Sequence, residues 1–416
     1  MSFLQGDLFA PVLEAYVEAG SCDLSNEVLY KSVAAKIGLK ESEIDTKTPI
    51  GKTGQMHSVF KRAVRWHQQT AKKMGLLEHG DSRGLWRMAN VTKKGLCEAP
   101  SGVKLIGFST KLGIAIWGDC STALAGLDQP VTAIICSPPY LLSKQRDYGN
   151  PKGEQEYIDF ITRCLEPVIA HLAPGGSLCL NISNDSFLPG LPARSMYRER
   201  LLLTLAERFQ LFKMDEIPWF NPSRPPGPVA WASKQRVQLN SGYEVIYWMT
   251  NDPTKITSDN RRVLEQHTRK HMDLMMSGGE KRSKSYGNGA YTLRDGSFGK
   301  VTEGKIPRNV LVRGHSCADT RQYRRDAEAL GLPIHGAMSP LSVPEFLLKF
   351  LTKEGELCID PFGGTVKLGM AAERNNRRWI VVERVLDYIR GSAERFRTFD
   401  GFSMSPAMES FRGAPL

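Results

Sequence analysis

The sequence predicts an α/β protein: a mostly parallel sheet with helices on both faces, preceded by a winged helix-turn-helix unit. Three observations carry that prediction. From about residue 104 onward, short apolar runs alternate with amphipathic helical stretches, the pattern of βα units stacked into a parallel sheet. The first 96 or so residues instead show three helical stretches closed by a hairpin signal. Residues 251–305 are polar, glycine-containing and basic, and break the α/β rhythm as an insertion would.

In the N-terminal unit, residues 1–96, apolar residues recur at helical spacing over Pro11–Val17 and over Asn26–Ile37, and Gly38 is placed to stop the second helix. A third helix is predicted over Met56–Met74; it carries Lys61, Arg62, Arg65, Lys72 and Lys73 and ends at Gly75. Leu76–Glu78 and Leu85–Met88 flank a Gly-Asp-Ser-Arg-Gly turn and read as a short hairpin. Such a unit either contacts DNA or serves for docking and dimerisation.

Beyond it, Ile114–Trp117, Val131–Cys136, Ser177–Ile182, Glu356–Asp360 and Trp379–Glu383 are apolar enough to be buried strands. Helical patterns over Glu154–His171, Ser195–Phe209 and Val343–Thr352 lie between them. The expected segments are residues 104–250, the insertion 251–305, residues 306–398 and a C-terminal tail, 399–416.

A chain of 416 residues has room for two or three domains. It has no apolar run of the ~18 residues a bilayer span needs. Its first residues, with Asp7 and Glu14, lack the basic-then-apolar order of a signal peptide, so a cytoplasmic location is expected. Eight cysteines occur without a C-x-x-C pair, which argues for packed, reduced thiols and against structural zinc; no metal is expected. Lys and Arg outnumber Asp and Glu by 55 to 44, a surplus that suits a polyanionic partner.

In an open α/β sheet, ligands sit beyond the carboxyl ends of the strands, so the places where apolar runs stop are the informative ones. One run ends in Ser137-Pro138-Pro139-Tyr140. Two prolines fix φ and remove two backbone donors, leaving a rigid turn with free carbonyls. The Ser137 hydroxyl and Pro138 carbonyl suit the exocyclic amine of a flipped base, and Tyr140 suits stacking on its ring. A second run ends in Asp360-Pro361-Phe362-Gly363-Gly364, where paired glycines permit close backbone approach to a ligand. Glu383, 23 positions after Asp360, ends the next strand and is placed to hold ribose hydroxyls. The absence of G-x-G-x-x-G speaks against nicotinamide or flavin. A third run ends at Asp119, placed to accept from an adenine amine.

Together these segments resemble the N4-cytosine and N6-adenine DNA methyltransferases, in the circularly permuted order that puts the catalytic motif ahead of the cofactor loop. Arg146–Gly149, Tyr157–Phe160, Leu172–Ser177, Asn240–Tyr247, Ile306–Val310 and Met338–Leu341 fit the same order. The resemblance implies a Rossmann-like sheet and S-adenosylmethionine as cofactor. It implies that Ser137, Pro138, Pro139 and Tyr140 line the target-base pocket. Asp360, Pro361, Phe362, Gly363, Gly364 and Glu383 would hold the cofactor, with Asp119 near its adenine. The N-terminal unit resembles, more loosely, that of some Mrr-type restriction endonucleases. Two departures stand out. The cofactor loop continues Thr365-Val366-Lys367, and Lys367 is expected to face solvent, away from a cationic sulfonium. The usual His-Pro-Ala is His335-Gly336-Ala337.

In that family serine at the first motif position accompanies cytosine N4 and Asp or Asn accompanies adenine N6, so Ser137 favours cytosine, with adenine the alternative. The expected chemistry is in-line methyl transfer to a flipped base in double-stranded DNA, with no strong general base evident. An inactive DNA-binding regulator, or methylation of RNA or a protein glutamine, are the competing readings. In the insertion, Arg261, Arg262, Arg269, Lys270, Lys281, Arg282 and Lys284 are the expected DNA contacts. The resemblance also allows a cognate restriction endonuclease and a homodimer.

Overall fold

The computed structural model describes residues 8–19, 22–50, 55–74, 76–89, 96–99, 102–141, 151, 153–405 and 408–409. The expected motif stretch Arg146–Gly149 lies outside them.

The N-terminal unit runs α1 (Phe9–Ala19), β1 (Leu24–Ser25), α2 (Asn26–Lys36), α3 (Glu41–Ile44), β2 (Lys47–Ile50), β3 (Gln55–Ser58), α4 (Val59–Lys73), β4 (Leu77–His79) and β5 (Leu85–Met88). Ser25 caps α2 by accepting from the Val28 N–H, and Gly38 ends it at φ +70°, as its position implies. The fourth helix starts three residues later than its periodicity suggests. Met56 to Ser58 are drawn into a hairpin, where Met56 faces Pro49, and Ser58 becomes the cap, accepting from the Lys61 N–H. The wing is the β4–β5 hairpin, Leu77 opposite Met88, with β1 as a third strand. Tyr16, Val33, Val64 and Leu77 are fully buried between helices and wing. Each such apolar side chain contributes about 1.5–3 kcal/mol of burial.

The second unit is built on ten strands among the described residues: β6 (Lys104–Ser109), β7 (Gly113–Gly118), β8 (Val131–Cys136), β9 (Leu172–Ile182), β10 (Phe212–Phe220), β11 (Tyr243–Thr250), β14 (Leu311–Val312), β15 (Leu357–Asp360), β16 (Arg378–Glu383) and β17 (Ser403–Met404). Their order is β14-β10-β11-β9-β8-β15-β16-β7-β6-β17. Strands β9, β8, β15, β16 and β7 form the parallel centre. The expected tail supplies β17, an edge strand paired with β6.

Alternation along β8 explains the two layers of helices. Ala133 and Ile135 pack in one core with α10 (Ser342–Leu351), α11 (Lys367–Glu373) and α12 (Leu386–Ala393). Ile134 and Cys136 pack in the other with α6 (Glu154–Ile169) and α7 (Tyr197–Phe209). A strand buried on both faces must be apolar at every position, which is why these runs stand out in the sequence. From β8 the chain leads to β9 on one side, and from β15 to β16 on the other. The neighbours β8 and β15, with Ile134 beside Ile359, therefore flank a topological switch point, where such sheets open a crevice.

Residues 251–305 are more ordered than a polar insertion implies. They form α8 (Arg269–Met276), capped by Thr268, and the hairpin β12 (Lys284–Tyr286) with β13 (Tyr291–Leu293). The remaining helices are α5 (Cys120–Ala123) after β7 and α9 (Ala318–Ala329) before α10. Among the described residues no helix is long and apolar enough to cross a membrane.

Candidate active site

The carboxyl ends of the central parallel strands meet at a cavity of about 830 Å³. It gathers the residues the sequence singled out: Ser137, Pro138, Pro139 and Tyr140 after β8, Asp360 to Gly364 after β15, Glu383 ending β16 and Asp119 after β7. Because β11 runs antiparallel to β9, its first residues reach the same edge and deliver Glu244.

In the turn after β15, a Cβ on Gly363 would lie 2.2 Å from Val381 Cγ1 and 3.1 Å from the Val382 carbonyl, so only glycine lets this turn pack against β16. The Gly363 N–H donates to the Val382 carbonyl at 2.8 Å, and the Gly364 N–H to Glu383 Oε2 at 2.6 Å. Glu383 Oε1 accepts from the Val385 N–H at 2.7 Å. Each Glu383 oxygen keeps a lone pair for a ligand hydroxyl. Burial raises Asp360 to about 7, against one hydrogen bond from the Phe362 N–H and with help from nearby Glu383. Burial likewise raises Glu383 to about 7. Two protonatable carboxyls and a glycine turn in a crevice suit a polar, cationic nucleoside. Asp119 caps α5, accepting from the Ser121 N–H at 3.0 Å, and still lines the cavity.

Lys367 does not face solvent. It is 7% exposed and lines the cavity. Its ammonium is held by Asp319 and, at 2.8 Å, by Thr320 Oγ1, both on α9; Asp319 also pairs with Arg395 at 2.6 Å. Sequence distance hid this countercharge, 48 positions away. Burial opposes ionisation of Asp319, but Arg395 and Lys367 outweigh it and hold its pKa below the ordinary value.

In the turn after β8, Ser137 is exposed to the cavity. Its Oγ lies 3.0 Å from Tyr140 Oη, which donates to Glu244 Oε2 at 2.8 Å. Asn181 Nδ2, at the end of β9, donates to Tyr140 Oη and Glu244 Oε2, each at 3.1 Å. Arg224 pairs with the other Glu244 oxygen at 3.4 Å. Burial, reinforced by Glu244, pushes the Tyr140 phenol well above its ordinary pKa, so it stays protonated. Its single proton goes to Glu244, so Ser137 must donate to Tyr140 and not the reverse. The Ser137 lone pairs are then left to accept from a ligand in the cavity. Cys136, just before it, is buried core, and burial raises its thiol pKa.

Asn181, Glu244 and Arg224 were not singled out in the sequence as site residues. Asn181 lies inside an expected strand and Glu244 inside the Asn240–Tyr247 stretch, so strand ends were legible there but their pairing was not.

A family model described as DNA methylase matches residues 131–394, more than half of the chain. The chain belongs to the N6/N4 DNA methylase family. An Mrr N-terminal domain model matches residues 6–97. The methylase is 29% identical over 290 residues to the Type II methyltransferase M.PvuII of Proteus hauseri, covering 70% of this chain and 85% of that one. It is 23% identical to the Type II methyltransferase M.BamHI of Bacillus amyloliquefaciens, over 66% of this chain and 55% of that one. The solved structure of the PvuII DNA methyltransferase (cytosine-N4-specific) superimposes with a TM-score of 0.56 and 26% identity, covering 75% of this chain and 95% of that one. The cofactor of the methylase is S-adenosylmethionine, and the cradle formed by Asp360, the Gly363–Gly364 turn and Glu383 fits it.

In the insertion, Arg261, Arg269, Lys270, Lys281, Arg282 and Lys284 are exposed. Arg262 departs from the expectation. Its guanidinium turns inward to the carbonyls of Thr257 and Phe350, the latter at 3.0 Å, and ties the insertion to the end of α10. The last turn of a helix leaves carbonyls unpaired, and an arginine fork satisfies them.

Proposed function

We propose that the methylase transfers a methyl group from S-adenosylmethionine to the N4 amine of a cytosine turned out of duplex DNA. The observation that carries this is Ser137: a neutral hydroxyl at the motif's first position, its own proton committed to Tyr140, its lone pairs left for an amine N–H. The likeness to M.PvuII and to the cytosine-N4-specific structure supports the same base.

S-adenosylmethionine supplies an electrophilic methyl group. The chain's own residues do the rest. Ser137 and the Pro138 carbonyl draw the two amine hydrogens toward acceptors, which turns the nitrogen lone pair out of ring conjugation and toward the methyl carbon. Tyr140, pinned by its hydroxyl, offers its ring for stacking. The apolar walls exclude water, and orientation supplies much of the acceleration.

Arg261, Arg269, Lys270, Lys281, Arg282 and Lys284, with exposed Arg62 and Arg65 on α4, would hold the phosphates and read the groove. A cognate restriction endonuclease is the natural partner for a relative of Type II methyltransferases.

Transfer of tritiated methyl to duplex DNA followed by nucleoside analysis tests the reading. N4-methylcytosine is the expected product. N6-methyladenine would overturn the choice of base, and no transfer would overturn the activity.

A further inference from the structure

We propose that Glu244 is the terminal proton acceptor of methyl transfer, reached from the substrate amine through the hydroxyls of Ser137 and Tyr140; this rests on the reading of the site as amino-methylating.

Methylation makes the amine nitrogen cationic, so one N–H proton must leave. The sequence offers no base beside Ser137. The fold supplies one by bringing the first residues of β11 against the ends of β8 and β9. Two hydrogen bonds, of 3.0 Å and 2.8 Å, lead from Ser137 Oγ through Tyr140 Oη to Glu244 Oε2. Asn181 bonds both Tyr140 and Glu244 and so fixes their separation. Its amide orientation is set too, because the reverse would point a carbonyl at the carboxylate. Arg224 holds the far oxygen of Glu244 and is itself braced by Asp185 at 3.3 Å.

Glu244 also has a way to shed the proton. Its side chain is 18% exposed and lines both the main cavity and an adjoining one of about 400 Å³, the latter bounded by Asn221, Ser223, Arg224 and Pro225. It takes the proton on one side and faces a second opening on the other.

The step balances. The amine nitrogen bonds to the methyl carbon as the carbon–sulfur bond breaks, and that electron pair stays on sulfur. An amine proton passes to Ser137 Oγ as the Ser137 proton passes to Tyr140 Oη and the Tyr140 proton to Glu244. Both hydroxyls are restored. The positive charge of the sulfonium and the negative charge of Glu244 are both gone, leaving a neutral methylamine, a neutral carboxyl and a thioether.

The test uses the full-length protein, duplex DNA and single-turnover transfer at saturating S-adenosylmethionine, so that titration of Asp360 and Glu383 on cofactor binding does not enter. General-base assistance contributes about 10²–10⁴-fold. Glu244→Gln is expected to slow transfer by about 10² or more, with cofactor and DNA affinity unchanged, and to abolish the fall in rate at low pH. Tyr140→Phe breaks the path with Glu244 intact and is expected to act alike. Glu244→Asp should regain part of the rate and keep the acid limb. The other titratable and charged groups near Glu244 are Tyr140, Arg224, Asp185, Tyr197 and His315. Burial lowers the pKa of His315, and His315→Gln is expected to retain the acid limb. Wild-type transfer with Glu244→Gln and Tyr140→Phe within twofold of it, on the same pH profile, overturns the relay alone. Absence of transfer by the wild type overturns the amino-methylating reading beneath it.

Discussion

The ammonium of Lys367, in the wall of the main cavity, and the carboxylate of Asp319 form a buried ion pair shared with Arg395. All three side chains are under a tenth exposed. Breaking a buried pair by removing one partner costs about 3–5 kcal/mol, because the remaining charge keeps its desolvation penalty. Asp319→Ala strands two cations and is expected to cost at least that much in urea denaturation. Lys367→Met leaves Arg395 on Asp319 and should cost less than half as much. Equal losses for the two variants would contradict the shared-countercharge account.

The two cavity carboxyls should make cofactor affinity pH-dependent. Burial holds Asp360 and Glu383 near 7, so at pH 6 each is mostly protonated and at pH 8 mostly ionised. A cationic cofactor favours the ionised forms. A group that must ionise one pH unit below its pKa costs about tenfold in affinity. Calorimetric titration should show affinity rising between pH 6 and 8, and Asp360→Asn should flatten the rise. For the free protein the sign is opposite. The folded chain keeps protons that the unfolded chain has released, so stability falls as pH rises from the ordinary carboxylate range to about 7.

Gly363 is expected to tolerate no side chain. The clash with Val381, which is fully buried, can be relieved only by moving β16 or the turn. Gly363→Ala should cost about 1–3 kcal/mol as overpacking does, and weaken S-adenosylmethionine binding through the displaced Gly364–Glu383 contact. A variant with unchanged melting temperature and cofactor affinity would show that the turn has slack.

The two classes of arginine in the insertion should separate. Arg269→Glu with Lys270→Glu, at the exposed start of α8, is expected to lower duplex affinity and the salt dependence of binding, with the melting temperature unchanged. Arg262→Ala should do the reverse, since its guanidinium holds backbone carbonyls. Arg62→Glu with Arg65→Glu on α4 is expected to weaken DNA binding and leave cofactor binding alone, which decides between a DNA-contacting and a docking role for the N-terminal unit.

The sequence by itself determined the order of the central strands' apolar runs, the winged pattern of the first unit and the three strand ends that line the cavity. Strands buried on both faces must be continuously apolar, and a ligand-binding turn needs its glycines and prolines in place, so these features are local and readable. The tertiary structure alone decided which polar residues face one another. Lys367 reads as a solvent-facing charge until α9 brings Asp319 against it, and Arg262 reads as a DNA contact until α10 presents its terminal carbonyls. Glu244 lies 104 positions from Tyr140, and only the antiparallel placement of β11 beside β9 puts its carboxylate at the carboxyl end of β8. Burial and pairing of charge depend on contacts between distant segments, and strand order, not local pattern, sets those contacts.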